Sequence, residues 1–177
     1  MQGEEVANNM KKSFLITLVS LFVASALVVP AHAQNKVGGH FGFVLPLVDH
    51  FDGETTDITD DFVIGFPTGI TVRTSERLAF DLELVPVVQD EPTSVNLVVH
   101  PGVLYNFAPS YTAGLRMAFE TDGEAWGFTP LIAKGFPLEG TSATYFIELD
   151  FPIRVKEDST GSNEISYGVA FHTGIGF

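Results

Sequence analysis

Nine ionisable residues have types and a spacing that could do chemistry. Asp81 and Glu83 stand two positions apart, and Glu148 and Asp150 repeat this spacing later in the chain. Positions two apart lie on the same face of a β-strand, so each pair would place two carboxylates side by side. Paired carboxylates in a confined site can act as general acid and base. The other members of the set are His40, His100, Arg116, Arg154 and His172.

Two simpler interpretations compete with catalysis. The arginines can pair with the carboxylates, since buried charges persist in proteins when they are paired. A metal site would need three or four ligands about 2 Å from one ion, and we expect interior histidines held by hydrogen bonds instead. We therefore predict a structural ion-pair network, with no metal and no cofactor.

Composition and motifs exclude several classes of protein. The sequence has no Cys, which excludes disulfides, cysteine-ligated zinc and thiol catalysis. It contains no Gly-x-Ser-x-Gly nucleophile elbow. The formal net charge of −13 over 177 residues opposes binding to a phosphate backbone. We predict that the protein is not an enzyme and does not bind nucleic acid.

The N-terminal residues 1–33 read as an extension followed by a cleaved signal peptide. Lys11 and Lys12 precede an apolar stretch, Phe14 to Val29, and a small-residue site that ends at Ala33. This order of positive, apolar and small residues is typical of a secretory signal. A transmembrane helix is the alternative, but it needs about 20 apolar residues. The mature chain is expected to span residues 34–177.

The mature chain alternates large apolar residues with small or polar ones at period two, which is the pattern of β-strands. None of its segments shows the helical period over three turns. The alternation predicts eight strands, at 37–47, 62–72, 78–85, 95–105, 111–119, 126–136, 145–155 and 165–177.

The apolar face of these strands is predicted to be the outside of a barrel. An eight-stranded barrel has an interior just wide enough for side chains, so rows of Phe, Leu and Ile cannot all fit inside. The nine ionisable residues and many glycines share the other face and would form a polar network in a side-chain-filled lumen. His40 and His172 would then be close, on the first and last strands, with His100 across the lumen. An apolar exterior belongs in a membrane, so we predict an all-β, eight-stranded, antiparallel, up-and-down transmembrane barrel.

The connections and the strand ends support this topology. Short turns at 73–77, 107–110 and 137–142 alternate with mostly longer, acidic loops, and short turns face the periplasm in such barrels. The acidic loops are interpreted as a solvated surface, with weak binding of divalent cations as the alternative. Aromatic residues predicted to mark the interfaces are Phe62, Tyr105, Phe107, Tyr111, Trp126, Phe136, Tyr145 and Phe177.

Prolines conflict with this assignment, because a closed ladder has no free edge for a residue that lacks its N–H. They are expected to mark bulges, strand ends or irregular pairing. The prolines inside predicted strands are Pro46, Pro67, Pro86, Pro101, Pro130 and Pro152.

Together, the signal peptide, the eight alternating segments and the terminal aromatic strand resemble small outer-membrane β-barrels of the OmpA/OmpX type. In that resemblance, Phe171, Ile175 and Phe177 correspond to the signal read by the machinery that inserts such barrels. It implies a bacterial outer-membrane location and lipids as neighbours. Outer-membrane lipid A deacylases carry a His-x-Ser on a late strand, whereas this chain has His172-Thr173-Gly174.

The expected function is structural or concerns surface contact through the loops, carried out by a monomer. Two alternatives stay open: a narrow channel for small solutes, and an outer-membrane enzyme that modifies lipids. The channel requires a continuous wet path through the lumen, and the enzyme requires a polar cluster at the lipid boundary.

Overall fold

A computed structural model describes residues 36–60, 62–90, 93–121, 125–157 and 160–177. The predicted extension, signal peptide and cleavage site lie outside these residues. Within the described ranges, no helix is long and apolar enough to cross a membrane.

The described residues form eleven antiparallel β-strands in one sheet. The strands are β1 (Lys36–Phe51), β2 (Glu54–Asp57), β3 (Val63–Gly65), β4 (Thr68–Arg73), β5 (Leu78–Gln89), β6 (Ser94–Ala108), β7 (Tyr111–Glu120), β8 (Trp126–Pro137), β9 (Thr144–Asp150), β10 (Ile153–Glu157) and β11 (Asn163–Gly176).

The sheet closes into a ring of eight, because β1 pairs with β11 as well as with β3 and β4. Phe177 completes the seam: its N–H donates to the Gly39 carbonyl, and its own carbonyl accepts from the Gly39 N–H, both at 2.9 Å. β3 with β4, and β9 with β10, are each one interrupted strand, and β2 only extends β1 as a hairpin. The predicted eight-stranded, up-and-down antiparallel fold is confirmed.

The strand prolines explain the interruptions. The second predicted strand breaks at Phe66 and Pro67, beside Pro86, whose carbonyl accepts from the Phe66 N–H at 2.8 Å. The seventh breaks in the same way beside Pro130, whose carbonyl accepts from the Phe151 N–H at 2.9 Å. Pro67 with Pro86, and Pro130 with Pro152, thus each share one gap in the ladder, so four of the six missing donors are concentrated at two places. A further irregularity in the β1–β11 pairing falls at Pro46.

The outward face of the barrel is apolar over its whole circumference. Leu115 on β7 is 49% exposed. Large apolar side chains on the other long strands are exposed to a similar degree, for example Leu82, Ile132 and Leu149. A surface of this kind is rare on monomeric proteins in water, and it matches the lipid-facing band of membrane barrels. The eight aromatic residues expected at the interfaces are all exposed.

The inward face is small or polar at mid-height, as the alternation predicts, but it is partly apolar towards the longer loops. Val85 and Val98 are buried there with Ala118, and Val44 packs against them. This apolar patch is absent from the sequence prediction, which treated the inward face as small or polar. The ionisable residues lie on the same inward face, closer to mid-height.

Candidate functional site

Arg116 lies at the centre of the charged cluster, on β7, with a side chain only 3% exposed. Its Nε donates to Asp81 Oδ2 at 3.0 Å, and its Nη1 donates to Glu148 Oε1 at 2.6 Å. Asp81 belongs to β5 and Glu148 to β9, so the guanidinium joins two sides of the barrel wall. We call the nine ionisable residues that surround this contact the plug: His40, Asp81, Glu83, His100, Arg116, Glu148, Asp150, Arg154 and His172.

Gly102 makes the reach of Arg116 possible. It lies directly opposite both Arg116 and Asp81 in the ladder. A Cβ at Gly102 would come within 2.6 Å of the Arg116 Cγ, so a larger residue would push the arginine off its path across β6. On the far side of Asp81, the Thr71 hydroxyl donates to Oδ1 at 2.7 Å, which satisfies the carboxylate further.

Glu83 is shared by two histidines. His40 Nε2 lies 2.9 Å from Glu83 Oε2, and His100 Nδ1 lies 3.1 Å from Oε1. His40 reaches Glu83 across β4 at Gly69, where any Cβ would collide with the imidazole. His40 and His100 are therefore joined through Glu83, although their strands, β1 and β6, are separated in the ring by β3 with β4 and by β5.

Arg154 is held mainly by neutral groups, although the sequence suggested a carboxylate partner. It donates to the Phe128 carbonyl at 2.9 Å and to the Thr129 hydroxyl at 3.0 Å, while Glu120 lies 3.9 Å from its Nε. Its Nη2 also lies 3.3 Å from His100 Nε2. Because a guanidinium only donates, His100 accepts at Nε2 and carries its proton on Nδ1, towards Glu83.

His172 completes the plug on β11. Its Nδ1 lies 2.9 Å from Glu148 Oε1 and 3.7 Å from Asp150 Oδ2, and its side chain is 1% exposed. Its ring also packs edge-on against Phe146, with 5.0 Å between centroids. The His40 ring is 6.4 Å away, which is the proximity that the strand order predicts.

Two cavities flank the plug. One, of about 360 Å³, opens towards the longer loops and is bordered by His100, Asp150 and Arg154. The other, of about 450 Å³, opens towards the short turns and is bordered by His40, Arg116 and Glu148. Side chains thus meet across the lumen at mid-height, and a cavity lies on each side of them.

The structure brings all nine residues of the predicted network to the lumen, at hydrogen-bond or ion-pair distances from one another. Gly69, Gly102, Thr71 and Thr129 also belong to the site, and the sequence analysis missed them. Their inward parity was visible in the sequence. Their role depends on which residue lies opposite them, which alternation alone does not specify.

The three residues assigned to the insertion signal lie along the closing seam. Phe171 and Ile175 are half-buried, and Phe177 is 64% exposed. Phe171 lies between Leu45 and Leu149, in the middle of the sheet. These positions describe where the side chains lie; their part in insertion stays a prediction.

Some acidic residues of the longer loops and the barrel rim form local hydrogen bonds and ion pairs. The Thr59 hydroxyl donates to Asp57 at 2.6 Å, the Thr59 N–H donates at 2.7 Å, and these bonds hold the pKa of Asp57 below its usual value. At the rim, the Ser166 hydroxyl donates to Asp49 at 2.9 Å, and Lys156 lies 3.7 Å from the same carboxylate. Both carboxylates are thus held by neighbouring hydroxyl, amide or ammonium groups.

No protein-family model and no curated protein sequence matches the chain. Among solved structures, the chain is similar to the crystal structure of the outer membrane protein OprG from Pseudomonas aeruginosa. The TM-score is 0.46 and the sequence identity 11%, over 82% of this chain and 96% of that chain.

The geometry of the chain itself defines its class. A closed ring of eight antiparallel strands has no free sheet edge, and closed barrels are one of the two structures that can span a bilayer. The apolar exterior and the buried charged interior fit that environment and no aqueous one. The chain is a transmembrane β-barrel.

Proposed function

We propose that the protein is an integral barrel of the bacterial outer membrane that is closed to steady ion flow and acts through its presence in the membrane and its acidic surface loops. The observation that carries this proposal is the plug. Arg116 joins carboxylates on β5 and β9 at 3.0 and 2.6 Å, so the lumen is obstructed at mid-height. A solute would have to break these buried contacts to pass from one cavity to the other.

The position of the polar residues also supports a function without catalysis. The plug residues lie inside the lumen, whereas an enzyme that modifies membrane lipids needs its reactive groups at the lipid boundary. The carboxylate pairs are engaged by Arg116 and by histidines. We infer a structural ion-pair network, and the protein is proposed not to be an enzyme.

The partners that follow from this proposal are the lipids around the apolar band, the insertion machinery of the outer membrane, and divalent cations held weakly by the loop carboxylates. The negative charge argues against nucleic acid. The ring is complete within one chain, which favours a monomer.

Conductance tests the closed barrel. In planar bilayers, the purified protein is expected to give no steady current, because the plug leaves no continuous wet path. An open porin inserted in the same membranes serves as the control for detection. A stable unitary conductance from the parent protein would reject the closed barrel and favour the narrow channel.

Processing tests the location. Protein isolated from outer membranes is expected to begin at Gln34, because export should remove residues 1–33. N-terminal sequencing checks this outcome. Mature protein that keeps the stretch from Phe14 to Val29 would point to a helical anchor and contradict the proposed processing.

A further inference from the structure

We propose that Glu148, Asp150 and His172 form a binding site for one divalent transition-metal ion in the middle of the lumen. The donors come from neighbouring strands, β9 and β11, where Glu148 lies directly opposite His172. One ligand atom from each residue falls within 4.8 Å of the other two. The site goes beyond the proposed function, since a closed barrel needs no metal.

The separations of the donor atoms suit an ion at the centre of the triad. His172 Nδ1 lies 2.9 Å from Glu148 Oε1 and 3.7 Å from Asp150 Oδ2. Ligands about 2.1 Å from a metal are roughly 3.0 Å apart at right angles and roughly 3.4 Å apart at the tetrahedral angle. Small movements of the two carboxylates are therefore enough to bring the three donor atoms to bonding distance from one ion.

Unpartnered atoms distinguish this triad from a simple ion-pair cluster. Asp150 Oδ1 and His172 Nε2 are buried and have no hydrogen-bond partner, and Asp150 as a whole is 6% exposed. Buried polar atoms are normally satisfied, so an orphaned carboxylate oxygen beside two other donors points to a missing cation.

A second triad, formed by His40, Asp81 and Glu83, also has donor atoms within 4.8 Å of one another, but none of its buried oxygens lacks a hydrogen-bond partner. Its carboxylates are already engaged by Arg116, by Thr71 and by two histidines. Of the two unpartnered buried atoms among the described residues, the one that bears on the site is Asp150 Oδ1, because His172 faces the other two residues through Nδ1.

Charge favours a divalent ion at this place. Four carboxylates surround Arg116, which supplies one positive charge to them. Arg116 occupies Glu148 Oε1 at 2.6 Å but stays 3.9 Å from Asp150 Oδ1. Glu148 Oε1 contacts both Arg116 and His172 Nδ1, and an ion placed between Oε1 and Nδ1 would replace only the contact with the histidine, because a carboxylate oxygen has about two acceptor sites.

The donor set indicates which ion is preferred. One imidazole with two carboxylates suits zinc and its first-row neighbours better than magnesium or calcium, which select oxygen ligands alone. Asp150 borders the cavity on the loop side and Glu148 the cavity on the turn side. The ion can therefore reach the triad through either cavity.

Calorimetric titration of the full-length mature barrel, folded in detergent and stripped of metal, tests the site with Zn²⁺ as the probe. Excess Mg²⁺ is present throughout to occupy the loop carboxylates. We expect one zinc per chain, with proton release seen as a heat that depends on the buffer, because ligands must lose their protons. Asp150→Asn and His172→Gln are each expected to weaken binding by more than about 100-fold, since loss of an outer-shell partner alone costs about 10- to 100-fold.

His50→Gln is the matched control, because His50 is a surface residue that bonds to Thr55 and lies outside the triad. It is expected to bind zinc as the parent does. Heat-modifiable gel migration reports which variants are folded. The site is rejected if the folded parent shows no saturable binding, if a folded triad variant binds like the parent, or if His50→Gln abolishes binding.

If the triad variants fail to fold, X-ray absorption of the zinc-loaded parent tests the site by identifying the ligands of the ion. One imidazole and carboxylate oxygens at about 2.0–2.1 Å support the site. Two or more imidazoles in the shell would overturn it. These measurements are independent of ion flow, so a conducting barrel would refute the proposed function and leave the zinc site standing.

Discussion

Arg116→Ala is expected to lower the free energy of unfolding by about 3 to 5 kcal/mol, the range found when one partner of a buried ion pair is removed. The substitution leaves Asp81 and Glu148 buried without their shared cation. The Arg116 side chain is 3% exposed, so water screens little of this cost. Unfolding in denaturant, followed by tryptophan fluorescence or by gel migration, measures the loss.

A second substitution should restore part of that loss. In Arg116→Ala combined with Glu148→Gln, the acid that lay 2.6 Å from the guanidinium is neutral and no longer needs a counter-ion. We therefore expect the double variant to be more stable than Arg116→Ala alone. The coupling energy between the two positions, obtained from the four proteins, reports the strength of the contact.

Arg77→Ala is the control for loss of an arginine as such. Arg77 is exposed in a short turn, and its Nη1 donates to the Tyr105 hydroxyl at 3.4 Å. Its removal is expected to change stability by no more than about 0.5 kcal/mol. If Arg116→Ala proved as stable as Arg77→Ala and the parent conducted ions, the lumen would be open and hydrated.

The side of the barrel on which each residue lies could be read from the sequence. Period two directly encodes the two faces of a strand, so parity alone places Asp81, Glu83, Glu148 and Asp150 on one common face. The direction of the apolar face followed from volume, because a bore of eight strands cannot hold the large side chains. Neither step needs knowledge of which strands touch at which height.

The partners of each residue depend on register, which the sequence does not encode in the same way. His40 reaches Glu83 only because Gly69 is opposite both, and that alignment is set by the stagger of β1, β4 and β5 around the ring. A shift of two residues would keep every side chain on its face and change all the pairs. The contact of His40 and His100 with the same Glu83 could not be predicted for this reason.

The sequence predicts that the prolines interrupt the sheet, but it does not predict where the interruptions fall. Each proline was a known conflict with a continuous ladder, but Pro67 and Pro86 lie 19 positions apart in the sequence. Their meeting at one gap emerges only when β3 and β4 are aligned with β5. The packing of Val85 and Val98 at the border of the loop-side cavity likewise depends on the alignment of β5 with β6.

Phe171→Asp is expected to destabilise the barrel by on the order of 2 kcal/mol, because a charge on the lipid face costs about 2–4 kcal/mol for Lys or Arg near the bilayer centre and less for Asp. Phe171 lies between Leu45 and Leu149, in the middle of the seam that closes the ring. Refolding into lipid vesicles, followed by heat-modifiable migration, should show a large loss of folded protein. Phe171→Leu, which keeps the position apolar, should fold almost as the parent does.

Phe177→Ala separates recognition during assembly from stability of the barrel. The two backbone hydrogen bonds between Phe177 and Gly39 survive this substitution, and the ring that is removed belongs to a residue already 64% exposed. Refolding in vitro should therefore stay close to that of the parent. If the terminal ring is part of the signal for insertion, the amount of folded barrel in cells should fall several-fold while refolding of the purified chain is unchanged. Equal losses in both assays would assign the ring to closure of the seam, and no loss in cells would remove Phe177 from the insertion signal.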